Sequence, residues 1–302
     1  MLLVIEQVLN GLQLGITLFL MSAGLTLVFG IMRVINLAHG SFYMIGAYVG
    51  ATVTSASGSF LLGILAALGA AGLAGILVEC IVLRHLYDRE HLTQVLATFG
   101  LILFFNELTR MIWGRQPLFM DVPPWLAGSI EILPGLTYPS YRIAVIAVGM
   151  LVALLLWFLL ARTRLGMRIR AGASNREMIA ALGVNIKILY TLVFGLGTLL
   201  AGLAGVMAGP ILAVESGMGE SILILTFVVI VIGGIGSIRG AVIGALLVGM
   251  VDTLGRAFLP ALFRLFLPGA HADGAAASLA AISIYMLMAA ILLWRPRGLF
   301  PA

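Results

Sequence analysis

Gly24-Leu-Thr-Leu-Val-Phe-Gly30-Ile-Met-Arg33-Val-Ile-Asn36-Leu-Ala-His39-Gly40-Ser41-Phe42-Tyr43 is the stretch on which the reading of the fold turns. Its flanks are apolar, yet Arg33, Asn36 and His39 recur at every third position across the middle. Backbone in lipid must satisfy its own hydrogen bonds, so an interruption is tolerated only against protein or a water-filled cavity. The pattern predicts a broken membrane helix beside a pathway, with Arg33, Asn36, His39, Ser41 and Tyr43 as candidate lining residues. A second interruption, Ile232-Gly233-Gly234-Ile-Gly236-Ser237-Ile-Arg239-Gly240, adds Gly233, Gly234, Gly236 and Ser237. Glycine-interrupted apolar segments in corresponding halves of a polytopic chain point to a translocation site. Similar runs follow the two breaks, Met44-Ile-Gly-Ala-Tyr-Val-Gly50 and Val242-Ile-Gly-Ala-Leu-Leu-Val-Gly249, which hints at an internal repeat.

The rest of the chain fits this setting. Of 302 residues, 62% are hydrophobic and 10% charged, against about 25% charged in an ordinary soluble domain. Mean hydropathy is +1.17. The fold class expected is an all-α integral membrane protein, a helical bundle of eight to nine membrane segments forming a single domain over residues 1–302. Apolar runs fall near 4–30, 40–57, 60–83, 93–112, 143–161, 188–212, 221–236, 238–256 and 279–294, each judged against the ~20 residues that span a bilayer. The N-terminal stretch lacks a basic region and a small-residue cleavage site, and reads as a first membrane helix. Nine crossings put the N-terminus outside; a first segment broken in two would put it inside.

The formal net charge is +5, from 17 basic and 12 acidic residues. Arg162, Arg164, Arg168, Arg170, Arg176 and Lys187, set against Glu177 alone, account for all of it; elsewhere the signs cancel. One basic loop does not make a nucleic-acid surface. A short Arg-rich connection between apolar spans is expected on the cytoplasmic side. The clusters Arg84–His91 and Arg295-Pro-Arg297 follow it. Residues 113–142, with Pro117, Pro123, Pro124, Pro134, Trp113 and Trp125, and residues 257–278, with Pro260, Pro268 and Gly269, are expected as periplasmic loops.

Within the basic loop, Ser174 or Asn175 can cap a short helix that carries Glu177 in its first turn and ends at Gly183. An electrostatic anchor needs only its arginines, whereas a capped helix with small residues suits a groove in another protein. Asn175, Arg176, Glu177, Ala180, Ala181 and Gly183 are the candidate coupling residues. Glu177 followed six residues later by Gly183 resembles the cytoplasmic coupling loop of ABC importer permeases. The stretch GLTLVFGIMRVINLAHGSFYMIGAY (Gly24–Tyr48) closely resembles the hallmark of LivH-type permeases of branched-chain amino acid uptake systems. VIVIGGIGSIRGAVIGALLVG (Val229–Gly249) resembles that family's second glycine-rich signature. Met178-Ile179 and Arg239 depart from the pattern.

The resemblance implies a permease subunit of an ABC importer in the bacterial inner membrane, carrying branched-chain amino acids or related small solutes. It also implies two cytoplasmic ATP-binding subunits, a second, LivM-like permease and a periplasmic solute-binding protein. The sequence contains no Gly-x-x-x-x-Gly-Lys-Ser/Thr, so energy must come from elsewhere. Nor does it contain Gly-x-Ser-x-Gly, His-Glu-x-x-His or a paired-carboxylate site, and an enzyme is not expected. No cofactor is expected, and His39, without acidic or Cys neighbours, is a poor metal ligand. Asp252 and Arg256, Glu107 and Arg110, and Glu79 and Arg84 are spaced for structural ion pairs. The rival is an ion-coupled secondary transporter, which commonly carries midplane acids, whereas these acids fall near segment ends.

Overall fold

The computed structural model describes residues 2–32, 34 and 36–300. Along the chain run α1 (Leu2–Met32), α2 (His39–Ser57), α3 (Phe60–Ile81), a 3-10 turn (Leu83–His85) and α4 (His91–Trp113). A second 3-10 turn (Pro124–Leu126) precedes the hairpin β1 (Ser129–Leu133) and β2 (Leu136–Pro139). Then come α5 (Ser140–Arg162), α6 (Arg164–Ser174), α7 (Arg176–Ala181), α8 (Ile186–Ala208), α9 (Met218–Gly233), α10 (Ile238–Phe263) and α11 (Gly269–Trp294).

Each of the nine apolar runs is a helix. Among the described residues seven helices, α1, α3, α4, α5, α8, α10 and α11, are long and apolar enough to cross a membrane, whereas α9 is a shorter apolar helix. At 16 residues, α9 reaches only about 24 Å. The first segment is one unbroken helix of 31 residues, and the interruption follows it.

One expectation needs correction. The loop expected over 257–278 is only five residues, 264–268, because α10 continues to Phe263 and α11 starts at Gly269. Pro260 stands inside α10, and Pro268 precedes α11, where its missing N–H costs nothing. The region 113–142 holds an antiparallel hairpin pairing Ser129 with Pro139 and Ile130 with Tyr138. Gly135 turns the hairpin at φ +84, its N–H donating to Glu131 Oε1 at 2.9 Å.

Chain contacts divide the molecule into two compact units, described separately. The first comprises 1–19, 124–150 and 225–302. Here the start of α1 lies against α10, where a side chain on Gly11 or Gly15 would meet Met250 or the Ala245 carbonyl. Asn10 accepts hydrogen bonds from Tyr138 and Arg142. Burial pushes the Tyr138 phenol above its ordinary range, while Arg142 opposes the shift. Leu2 reaches the turn at Gly135.

The second unit comprises 20–123 and 151–224. Its centre is α8, whose most apolar window is 78% buried against 22% for α4. Helices α2, α3 and α8 pack on one another. Association inside lipid relies on close packing, which small residues allow. Gly46 of α2 meets the Gly202 backbone, Gly202 of α8 meets Ala71, and Gly75 of α3 meets Thr198. The outward faces of α3 and α4 carry Leu61, Leu65, Leu73, Leu96, Phe99 and Leu103, exposed as a lipid-facing surface requires.

Candidate functional site

The basic loop folds as two helices, α6 and α7. Thr163 caps α6, its hydroxyl accepting from the Gly166 N–H at 3.1 Å. Asn175 caps α7: its Oδ1 accepts from the Met178 N–H at 2.9 Å. At the other end the Gly183 N–H donates to the Ala180 carbonyl at 3.0 Å, and the Val184 N–H to Ile179 at 3.2 Å. That pair of bonds, with Gly183 at φ +85, is the Schellman termination. Two residues later Asn185 caps α8 by accepting from the Ile188 N–H at 3.2 Å. Ile179 is buried, while Arg176, Glu177, Ala180, Ala181 and Gly183 are exposed. Met178 and Leu182 stand 63% and 78% exposed, so an apolar surface remains on a helix ringed by cations. Helix α6 was not anticipated; its dense arginines mask the Thr163 cap that announces it.

At the first break α1 stops at Met32 and α2 begins at His39; Arg33 lies outside the described residues. Asn36 is fully buried, and its Oδ1 accepts from the Ala38 N–H at 3.1 Å. The Asn36 carbonyl faces the His39 N–H at 3.5 Å. Among the described residues Asn36 Nδ2 and both ring nitrogens of His39 have no hydrogen-bond partner, although the Met21 backbone lies towards the ring. A buried polar group left unsatisfied costs about 1–3 kcal/mol. Asn36 therefore holds the broken backbone, and among the described residues the His39 ring bonds none of it. Tyr43 is buried with its hydroxyl also unpartnered among the described residues, and its carbonyl lies under Gly205 of α8. Ser41 reaches a narrow crevice between α2, α4 and α9.

The second break lies in the other unit. Gly234 and Gly236 take φ +105 and +85, and Ser237 caps α10 by accepting from the Gly240 N–H at 3.2 Å. Gly233 and Gly240 touch so closely that a side chain on either would meet the other's backbone. The C-terminal tail folds onto this turn. Leu299 and Phe300 N–H groups donate to the Ile232 and Gly233 carbonyls, both at 2.9 Å. These are carbonyls a helix end leaves unsatisfied, so the tail completes α9. Sequence reading placed the glycines but gave no sign of the tail.

The ion pairs form as spaced: Arg84–Glu79 at 3.1 Å, Arg110–Glu107 at 2.6 Å and Arg256–Asp252 at 2.8 Å. Arg264–Asp273 at 3.0 Å was not anticipated. Glu79 is fully buried and also accepts from Tyr87 at 2.5 Å and Thr191 at 2.7 Å, tying α3 to α8. Burial, then the bond to Glu79, pushes the Tyr87 phenol far above its ordinary range. Among the described residues no group of three or more His, Cys, Asp or Glu could hold a metal ion.

Residues 7–293 match the family described as "Branched-chain amino acid transport system / permease component". The chain is 30% identical over 268 residues to the high-affinity branched-chain amino acid transport system permease protein LivH of Salmonella typhimurium, covering 84% of this chain and 87% of the relative. It is 32% identical over 265 residues to the BraD permease protein of Pseudomonas aeruginosa, covering 83% and 86%. The ribose import permease protein RbsC of Escherichia coli is 26% identical over 261 residues, covering 82% and 77%. No solved structure matches the chain.

Proposed function

We propose a function from one premise: the chain belongs to the family of branched-chain amino acid transport system permease components. It is a permease subunit of an ABC importer, a multi-pass protein of the bacterial inner membrane. Its solutes are branched-chain amino acids or related small molecules. Its partners are ATP-binding subunits on the cytoplasmic side, a periplasmic solute-binding protein and a second, LivM-like permease.

Orientation follows from charge. Residues 162–187, which carry the whole net charge, lie in the cytoplasm, and the hairpin of 129–139 lies in the periplasm. Leu2 and Asn10 sit beside the hairpin and the start of α5, which favours a periplasmic N-terminus and nine crossings.

The observation that carries the coupling role is α7. A helix of six residues is too short to persist by propensity, yet this one is capped at both ends and presents Met178 and Leu182 to solvent. An anchor has no use for that surface; a groove in an ATP-binding subunit does. ATP-driven closure of the ATPases pushes on α7, and the solute path runs beside the first break, near Asn36, His39 and Ser41. Leu182→Glu, which leaves the caps intact, is expected to lose the ATP-binding subunits on co-purification, whereas Arg168→Gln retains them. Normal co-purification with Leu182→Glu would remove α7 from the interface.

A further inference from the structure

The end of α5 and the whole of α6 form a cationic face to which no partner has been assigned. Residues 162–174 hold four arginines, Arg162, Arg164, Arg168 and Arg170, and no acid. All four are exposed, and among the described residues none makes a side-chain hydrogen bond or an ion pair. Water and salt satisfy such a run on a soluble surface. What sets this one apart is its depth.

Helix α5 exposes Leu154, Leu155, Trp157 and Phe158 near its end, a lipid-facing surface. Tryptophan so placed marks the level of the membrane–water interface. Arg162 follows Phe158 by one turn, so the headgroup layer begins where α5 ends. Helix α6 does not leave that layer. A β-carbon on Gly166 would meet the Leu159 and Leu160 carbonyls of α5. Ile169 is buried, and a β-carbon on Gly172 would meet Leu189 of α8 and Ile31 of α1. Helix α6 is thus held against the last turn of α5, the last turn of α1 and the first turn of α8, all within one compact unit. At 11 residues it is about 16 Å long, and its outer side presents Arg164, Met167, Arg168 and Arg170. An exposed methionine among cations suits the boundary where headgroups meet acyl chains.

We propose that this face is a docking surface for the headgroups of anionic phospholipids. The guanidinium groups of Arg164, Arg168 and Arg170 pair with lipid phosphates in forked geometry, and Met167 enters the acyl boundary. Each cation held at an anionic leaflet favours it roughly fivefold, so three together select acidic lipid while the loss of one is little felt. Lipid is the occupant because α6 continues the lipid-exposed surface of α5, whereas the docking surface of α7 is the apolar pair Met178 and Leu182. Asn175 joins α6 directly to α7. Lipid that fixes α6 therefore fixes the coupling helix, and ATP hydrolysis by the complex depends on anionic lipid. That last step rests on the coupling reading of α7; the lipid contact itself does not.

The test reconstitutes the complex, with its ATP-binding subunits, second permease and solute-binding protein, in phosphatidylcholine vesicles with and without about one third phosphatidylglycerol. Hydrolysis by the parent is expected to rise roughly threefold or more with the anionic lipid, and by less than about 1.5-fold in the triple variant Arg164→Gln/Arg168→Gln/Arg170→Gln. Arg164→Lys/Arg168→Lys/Arg170→Lys, which keeps the charge, should retain more than about half of the parent's stimulation. Undiminished stimulation in the glutamine triple variant overturns the proposal. So does a triple variant that sheds the ATP-binding subunits on co-purification, which would put an acidic protein surface on α6. A direct readout decides should the triple variant fail to assemble. Met167→Cys in a Cys80→Ser background carries a fluorophore, and its quenching by spin-labelled phosphatidylglycerol is compared with that by phosphatidylcholine labelled at the same acyl position. Quenching roughly twofold stronger or more with phosphatidylglycerol supports the surface, and equal quenching overturns it. Preferential quenching in a parent whose hydrolysis ignores the lipid refutes the link from α6 to α7 alone.

Discussion

Gly183→Leu isolates what α7 needs from its last residue. Gly183 holds φ +85, and a β-carbon built there meets nothing within 4 Å. The penalty within this chain is therefore conformational and not steric: about 1–2 kcal/mol for an L-residue in the left-handed region. A six-residue helix is marginal, held by the Asn175 cap, the Schellman bonds and buried Ile179. Loss of 1–2 kcal/mol lowers the population of a marginal folded state roughly 5–30-fold. Solute-stimulated ATP hydrolysis by the complex in liposomes should fall by a comparable factor, with subunit co-purification followed in parallel. Gly183→Ala carries most of the same backbone penalty, so a much larger loss with leucine reports a partner pressed against this position. Gly183→Asn, which tolerates positive φ, should be mildest. Arg168→Gln should also be mild, because five basic residues still mark the loop. Full stimulation with Gly183→Leu alongside loss with Arg168→Gln would refute the docking helix and leave an electrostatic anchor.

Two further outcomes are expected. Because neither ring nitrogen of His39 is bonded among the described residues while Asn36 accepts from the Ala38 N–H, His39→Leu should leave thermal stability of the complex unchanged or higher yet impair uptake. Asn36→Ala leaves the buried Ala38 N–H without its acceptor and should lower stability by about 1–3 kcal/mol, and unchanged uptake with His39→Leu would make His39 a packing residue. In a Cys80→Ser background, an impermeant thiol reagent applied to spheroplasts should label Ser129→Cys and not Ser174→Cys, both exposed positions; the reverse pattern would invert the orientation.

The nine apolar runs, the basic loop, the Asn175 cap and Gly183 at the end of α7 were legible because each is set by local chemistry. Twenty apolar residues need lipid or a core, a short polar side chain satisfies the N–H groups that follow it, and glycine alone enters the left-handed region freely. Ion pairs at i,i+3 and i,i+4 were legible for the same reason, since one helix face brings the partners together. Loop lengths were less so: prolines at 260 and 268 suggested a long break where only 264–268 is non-helical, because Pro268 stands just before a helix, where its missing N–H costs nothing, and membrane helices accommodate an internal proline such as Pro260.

What tertiary structure alone decided involves partners far apart in the chain. Nothing local pairs Glu79 with Thr191, Asn106 with Glu220, or Gly40 with Gly219. Nothing local brings the tail at 299–300 onto the carbonyls of Ile232 and Gly233. The two breaks look alike as sequence, yet one leaves buried polar atoms unsatisfied and the other is closed by the tail. A sequence pattern records which backbone groups a break will free; only the packed chain determines what, if anything, arrives to satisfy them.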